Sequence, residues 1–555
     1  MEHSALHGAQ LIGALLALAA PLLALLILAP ARAAISGADA ARLADQLETS
    51  LARWAFRGAA IGAVATFSNL VVQVAEIEGT TLLAGADLSL LWRFATATEV
   101  GRLTVLRGVL LAAAAVPAAA LAATPRPRQR SALWVLVAGL AVAALAALSL
   151  VSHAAAQPAG RAAYIALQLA HLAAAGAWIG ALMHLLAARS LLVRARSPGE
   201  VALVAEVIRR FSPVAFGAAC VLGGSGLTAA WLNLGRPLAL FTSAYGLTLG
   251  VKLLLLATLL VPAYVNARLV RPALLRCAAD GDRSPDAAPT LARLARMLEF
   301  EVTAGVLVVA VAGILGSVSP PSPDGVGSLS AAQAATVLTP HLPQTQVVDP
   351  SSWVGSATRT DDDLRYSEFM HNWSGLIVCL LGAAWLAQAL GGRFGDTVGR
   401  YWPLALIPFA IFVAIASDPE VWPMGNVSPL AALRDPIVLE HRIGALMIVV
   451  LAWLGLREER RGGADRPLGR ALPILMIVGS LLLLGHAHSS FGATETLTTL
   501  INVQHAVLGG LGLLAGVVRW LELRGLFPRR VARALWPTLV IAVGAFMAFS
   551  YRELL

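Results

Sequence analysis

His371, His441, His486, His488 and His505 fall at the ends of apolar segments in the second half of the chain. A count of those segments puts all five on one membrane face. Histidine is rare inside membrane helices, where an uncompensated polar group is costly. Five at one depth point to a metal or cofactor site rather than to scattered packing. Neutral imidazole is a good ligand for copper and zinc, and a histidine set without thiolates suits Cu(II) or borderline ions. Thioethers would favour Cu(I). Met424, in the loop from Asp418 through Glu420 and Trp422, is better placed for this than Met370 beside His371. Glu440 is positioned either to orient His441 from behind or to pair with Arg442.

A second histidine pair lies earlier. His153 ends one apolar segment and His171 follows eighteen residues later, ahead of Gly176 and Gly180. His505 follows His486 by nineteen residues, ahead of Gly509, Gly510 and Gly512. The two hairpins share an orientation and read as a weak parallel repeat, each with a histidine pair before a glycine-rich turn. At 1.5 Å per residue, His441 lies about 6 Å, His505 roughly 10 Å and His171 roughly 15 Å from the outer ends of their segments. His486 and His488 stand about 200° apart on an ideal helix, so both reach one ion only if the helix ends there. His3, His7, His184 and His341 read as hydrogen-bonded interfacial residues.

These side chains need elements to hold them, and composition says which. The 555 residues are 58% hydrophobic and 13% charged, where a soluble chain carries roughly a quarter charged residues. The apolar residues come in runs of about 20, the length of a membrane-crossing helix. The alternating ten-residue segments of a β-barrel are absent. Fourteen spans are predicted, at about 9–30, 54–75, 103–123, 131–152, 161–188, 211–232, 245–269, 297–318, 369–390, 401–417, 437–456, 470–487, 498–520 and 531–550. Arginine-rich loops follow the third, fifth, seventh, ninth, eleventh and thirteenth spans, which makes that side cytoplasmic. The net charge of +9 is explained by those loops and is no nucleic-acid signal. Ala31-Arg32-Ala33 resembles a leader cleavage site, but no positive charge precedes it, so the segment reads as a retained span. The connector at about 31–53 has helical periodicity and fits the interface.

Cys220, Cys277 and Cys379 are the only cysteines and form no C-x-x-C, which excludes a thiolate site or disulfide framework. No phosphate-binding loop is present, so nothing here is directly ATP-driven. The long outer loop, about 319–368, ends in Asp361, Asp362, Asp363 and Glu368; it reads either as a solvated linker or as a negative docking surface. Lys252 lies within a span, lining a path or snorkelling. Arg107 is placed to pair with Glu76 or Glu99.

The stretch from His171 through Trp178 and Gly180, then Arg210-Phe211-Ser212, Gly226, Tyr245-Gly246, Lys252 and Asn266-Ala267-Arg268, resembles the CopD family of bacterial copper-resistance inner-membrane proteins. Thr98-Glu99, Gly101-Arg102, Arg107, Ser152-His153, Glu301 and Pro320-Pro321 extend the likeness over residues 50–321 or so. The resemblance implies copper handling together with a small periplasmic copper-binding protein of the CopC type. It also implies a bacterial inner-membrane location.

The sequence reading is therefore an all-α polytopic transmembrane bundle of about 14 spans, with both termini periplasmic. Its parts are an N-terminal span and connector (1–50), a family-like half (51–321), a periplasmic loop (322–368) and a histidine-rich six-span half (369–555). The expected function is copper transport or delivery, without enzymatic activity, through His153, His171, His371, His441, His486, His488, His505 and Met424. The alternative is a haem b electron carrier or cupric reductase. There His441 and His505 would be axial ligands, with Gly444 and Gly509 one turn away making room for the macrocycle.

Overall fold

The computed structural model describes residues 2–124, 126–152, 160–281, 287–322, 324–345, 360–433, 436–461, 467–485 and 494–554. Among the described residues, thirteen helices are long and apolar enough to cross a membrane. They are α1 (His3–Ala34), α2 (Ala38–Ile77), α3 (Glu99–Ala120), α4 (Pro127–Leu150), α5 (Arg161–Ala187), α6 (Pro198–Leu234), α7 (Ala244–Asp280) and α8 (Ala287–Leu315), then α9 (Asp361–Leu390), α10 (Gly392–Ala416), α11 (Val438–Arg457), α13 (Glu495–Leu523) and α14 (Arg529–Phe549). Between α11 and α13 lies α12, Ala471–Gly485, apolar but only 15 residues long. The predicted twelfth span, at about 470–487, runs past its end into residues outside the description. The chain is an all-α polytopic membrane protein.

Two compact units divide it: Glu2–Asn233 with Val251–Ser317, and Leu234–Gly250 with Val318–Leu555. In the first, α1 is the hub and packs against α2, α4, α5 and α8. Small residues permit this. A Cβ on Gly13 would sit 2.6 Å from the Gly58 carbonyl oxygen and from the Gly62 Cα, so the α1 and α2 backbones touch. Close backbone approach through glycine is how membrane helices gain packing where lipid removes the hydrophobic drive.

The connector expected at 31–53 is not a separate element. The chain breaks only at Gly37, whose φ of +120° suits glycine, and α2 then runs unbroken for 40 residues. That is about 60 Å of helix, twice the hydrocarbon thickness of about 30 Å. The reason is visible in the sequence: Ala40, Leu43, Ala44, Leu47 and Leu51 are buried at helical spacing, and no proline intervenes.

In the second unit, Thr360 and Asp363 form a reciprocal capping box, and Asp361, Asp362 and Asp363 make up the first turn of α9. The acidic run read as the end of a loop is therefore a helix start, where carboxylates oppose the positive end of the dipole. The preceding loop also contains a short helix, Ala331–Leu338, with its own Ser330–Gln333 capping box. It brings Leu329 and Val337 into a buried cluster with Leu500 and Val503 of α13, each burial contributing about 1.5–3 kcal/mol over exposure. Gly391 and Gly392, with φ of +79° and +86°, turn α9 into α10.

Helices α9 and α14 lie in backbone contact, since a Cβ on Gly375 would meet the Ala548 nitrogen at 2.5 Å. Helices α12 and α13 meet through Gly509, Gly512 and Gly516. Trp385, packed against Trp402 and Trp536 at ring distances of 5.1 and 5.2 Å, locks the far end.

Candidate functional site

His371 stands on α9 and His505 on α13, far apart in sequence. The structure brings their rings to 5.7 Å at an edge-on 62°. Tyr551, just beyond α14 and fully buried, completes the group: its ring stacks on His371 at 3.9 Å and 15°. It stands 5.9 Å from His505.

What holds Tyr551 there is a clasp on the segment after α14. Buried Glu368 accepts the backbone N–H groups of Glu553 and Leu554 at 2.6 and 2.9 Å. Ser367 and the Tyr551 hydroxyl both donate to Glu553, at 2.5 and 2.8 Å. Gln504, one residue before His505, exchanges two bonds with the Arg552 backbone, at 2.8 and 2.9 Å. Asn372 donates to the carbonyls of Met547 and Tyr551. Sequence reasoning missed Tyr551. Its signal was the polar pairs Glu368/Asn372 and Gln504/His505 flanking the histidines in otherwise apolar helices.

The Nδ1 of His371 lies 2.8 Å from the Ser367 carbonyl. A carbonyl only accepts, so Nδ1 carries the proton and Nε2 the lone pair of the neutral ring. His441, on α11, repeats this arrangement with another partner: its Nδ1 lies 2.7 Å from Asp418 Oδ1. Asp418 is 3% exposed and also pairs with Arg442 at 3.1 Å. A carboxylate behind His441 is thus that of Asp418, and Arg442 pairs with the same group. Met424 is exposed on the same loop, its sulfur 3.9 Å from the Tyr366 hydroxyl.

In the first unit, His171 of α5 places Nδ1 2.9 Å from Ser225 of α6. Ser225 gives its one proton to the Val221 carbonyl at 2.5 Å, so it accepts from His171. Nδ1 is again protonated, and Nε2 again holds the lone pair. Gly226 leaves room for the ring: a Cβ there would sit 3.3 Å from His171 Cε1. Lys252 interacts electrostatically with His171 and has no ion pair among the described residues.

Nearby in sequence terms, Asn266 donates to the buried carboxylate of Glu301 at 2.5 Å, joining α7 to α8. Asn266 opens a π-helical turn, and Gly176–Gly180 forms another; such bulges often mark functional positions.

Gly176 and Gly180 do not form the expected turn. They continue α5 as a stripe against α1, where a Cβ on Gly180 would lie 2.6 Å from the Leu15 carbonyl oxygen. The next residue on that stripe, His184, donates Nε2–H to Leu16 at 2.9 Å. His341 faces the Leu342 and Tyr551 carbonyls with its two nitrogens, as a structural histidine does. Glu99 pairs with Arg161 at 3.5 Å, leaving Arg107 without an ion pair among the described residues. The space beside Gly509, expected to admit a macrocycle, is filled by Leu484, 2.7 Å from where a Cβ would stand.

His153, His486 and His488 lie outside the described residues, and with them the proposed hairpin repeat. Among the described residues no three His, Cys, Asp or Glu side chains converge as a metal cage. Of the expected cluster, His371 and His505 are brought together, while His441 rests on its own carboxylate.

Two family models match the chain. Copper resistance protein D-like, N-terminal domain, covers residues 4–162, and copper resistance protein D covers residues 205–315. The matched region starts at the first span, earlier than the motifs suggested, and everything after residue 315 is an extension. No curated protein and no solved structure matches.

Proposed function

We propose, for a chain that belongs over its N-terminal half to the copper resistance protein D family of the bacterial inner membrane, that it takes up periplasmic copper and passes it across the bilayer. The arginine-rich loops argue that the histidine-bearing helix ends face the periplasm. Copper arrives there from a small soluble carrier of the CopC type. It is captured by His371 and His505 with help from His441 and Met424, and His171 is a further ligand in the family half.

The observation that carries this reading is a shared tautomer. His171, His371 and His441 each commit Nδ1–H to a protein acceptor: Ser225, the Ser367 carbonyl and Asp418. Fixing one nitrogen in this way orients the ring and raises the basicity of the other, as in metal-ligating histidines. Imidazole nitrogens without thiolates suit Cu(II). No covalent step is needed; the protein binds, desolvates and releases an ion.

The test is metal content and visible spectrum of the purified protein, wild type against His371→Ala with His505→Ala. Copper bound by the wild type and reduced by the double variant supports the site. Unchanged copper removes it, and a Soret band with stoichiometric iron would replace copper with haem.

A further inference from the structure

The N-terminal unit contains a second polar assembly that the proposed copper site does not use. Helices α1 and α2 run antiparallel: Gly13 meets Gly58 and Gly62, and Gln10 donates to the Ala65 carbonyl at 3.1 Å. The same register carries the start of α1 to the end of α2. There His3 and His7, one turn apart on α1, stack with ring centroids 6.3 Å apart and planes 5° from parallel. Opposite them α2 presents Asn69, then Gln73 and the exposed Glu76, and α3 supplies Arg107. His3 interacts with the Asn69 side chain and electrostatically with Glu76 and Arg107.

Burial without pairing is the informative feature. Asn69 is 1% exposed, as is Gln10, and Arg107 is 5% exposed. Among the described residues the buried atoms His3 Nδ1, Gln10 Oε1, Asn69 Oδ1 and Gln73 Oε1 have no hydrogen-bond partner, nor has Arg107 Nε. Three amide oxygens and one imidazole nitrogen are thus left over on these helices, against one N–H, that of Arg107. Buried polar atoms in a native protein are normally satisfied, and unsatisfied acceptors in excess call for a cation or its waters. Two histidines at i and i+4 lie on one helix face and can chelate one metal ion.

We propose that His3, His7 and Asn69 form a second metal site, with His3 Nδ1 and Asn69 Oδ1 as ligands beside the His7 imidazole, for a divalent ion of which Cu(II) is the foremost candidate. The inference rests on the copper reading only for the choice of ion. Glu76 at the exposed end draws a cation toward the pocket. Arg107 at the buried side repels it, which keeps affinity modest. That combination belongs to a site an ion passes through rather than one that stores it.

The experiment is a Cu(II) titration of the full-length purified protein, followed by electron paramagnetic resonance for nitrogen couplings. It is carried out in the His371→Ala, His505→Ala background so that the C-terminal pair does not contribute. Loss of one equivalent between that background and a variant that also carries His3→Asn and His7→Asn supports the site; the same number of equivalents in both overturns it.

Failure of the C-terminal pair to bind copper would leave this result intact, so the two readings stand or fall apart. Arg107→Gln gives a second readout that does not depend on removing ligands. It is expected to tighten Cu(II) binding about tenfold by removing a nearby positive charge. Weakened binding would mean that Arg107 serves an anion, and would sink the cation site.

Discussion

Replacing Glu368 by alanine isolates the clasp that seats Tyr551 on His371. Glu368 accepts two backbone N–H groups, from Glu553 and Leu554, at 2.6 and 2.9 Å. Hydrogen bonds to a charged group are worth about 1.5–3 kcal/mol each, so the two together contribute about 3–6 kcal/mol. The lower end applies, because the released amides can meet water once the segment lifts and the Gln504 bonds to Arg552 remain. A loss of about 3 kcal/mol raises the opened population of this segment about a hundredfold.

Amide hydrogen exchange at Glu553 and Leu554 reads that population directly, while amides in the middle of α14 keep their protection. Glu368→Gln keeps an acceptor but loses its charge. It costs about 1 kcal/mol per bond, so its exchange falls between wild type and alanine. Protection within about threefold of wild type in the alanine variant would refute the claim that Glu368 holds this segment.

Three further outcomes are expected. Asp418→Ala strips His441 and Arg442 of a common buried partner; breaking a buried pair costs about 3–5 kcal/mol. Because His441 and Arg442 are 34% and 22% exposed, about 2 kcal/mol should appear in thermal unfolding, with Asp418→Asn recovering part of it. Gly375→Ala forces α9 off α14 where the Ala548 nitrogen would lie 2.5 Å from the new Cβ. Overpacking of this kind costs about 1–3 kcal/mol, read as a lower midpoint together with loss of the near-ultraviolet signal of Tyr551. His184→Leu removes a bond to the Leu16 carbonyl and should lower stability by about 1–2 kcal/mol while leaving copper stoichiometry unchanged. A lost equivalent would make His184 a ligand.

By itself the sequence determined the class of the molecule. Length and polarity of the apolar runs settle what a bilayer accepts, because every backbone group inside it must be satisfied within a helix. The family, too, was legible in short motifs within the matched residues 205–315, such as Asn266 and Glu301, which meet across α7 and α8. Helix limits were less legible. The connector at 31–53 became part of α2, and the acidic residues before α9 became its first turn, because capping and continuous burial act below the resolution of a hydropathy window.

Only the tertiary structure decided which histidines keep company. Spacing along a helix gives depth, but azimuth and neighbour come from packing. His371 and His505 therefore meet across α9 and α13, whereas His441, counted to a similar depth, turns to Asp418. Tyr551 and the Glu368 clasp lay wholly beyond sequence reading, since they join residues as much as 186 positions apart in the chain. Glycine roles divided in the same way. Gly176, Gly180 and Gly509 looked like turns or ligand space; Gly180 and Gly509 mark where one helix backbone rests against another and Gly176 makes room for the Leu18 side chain, a distinction that exists only once the partner helix is in place.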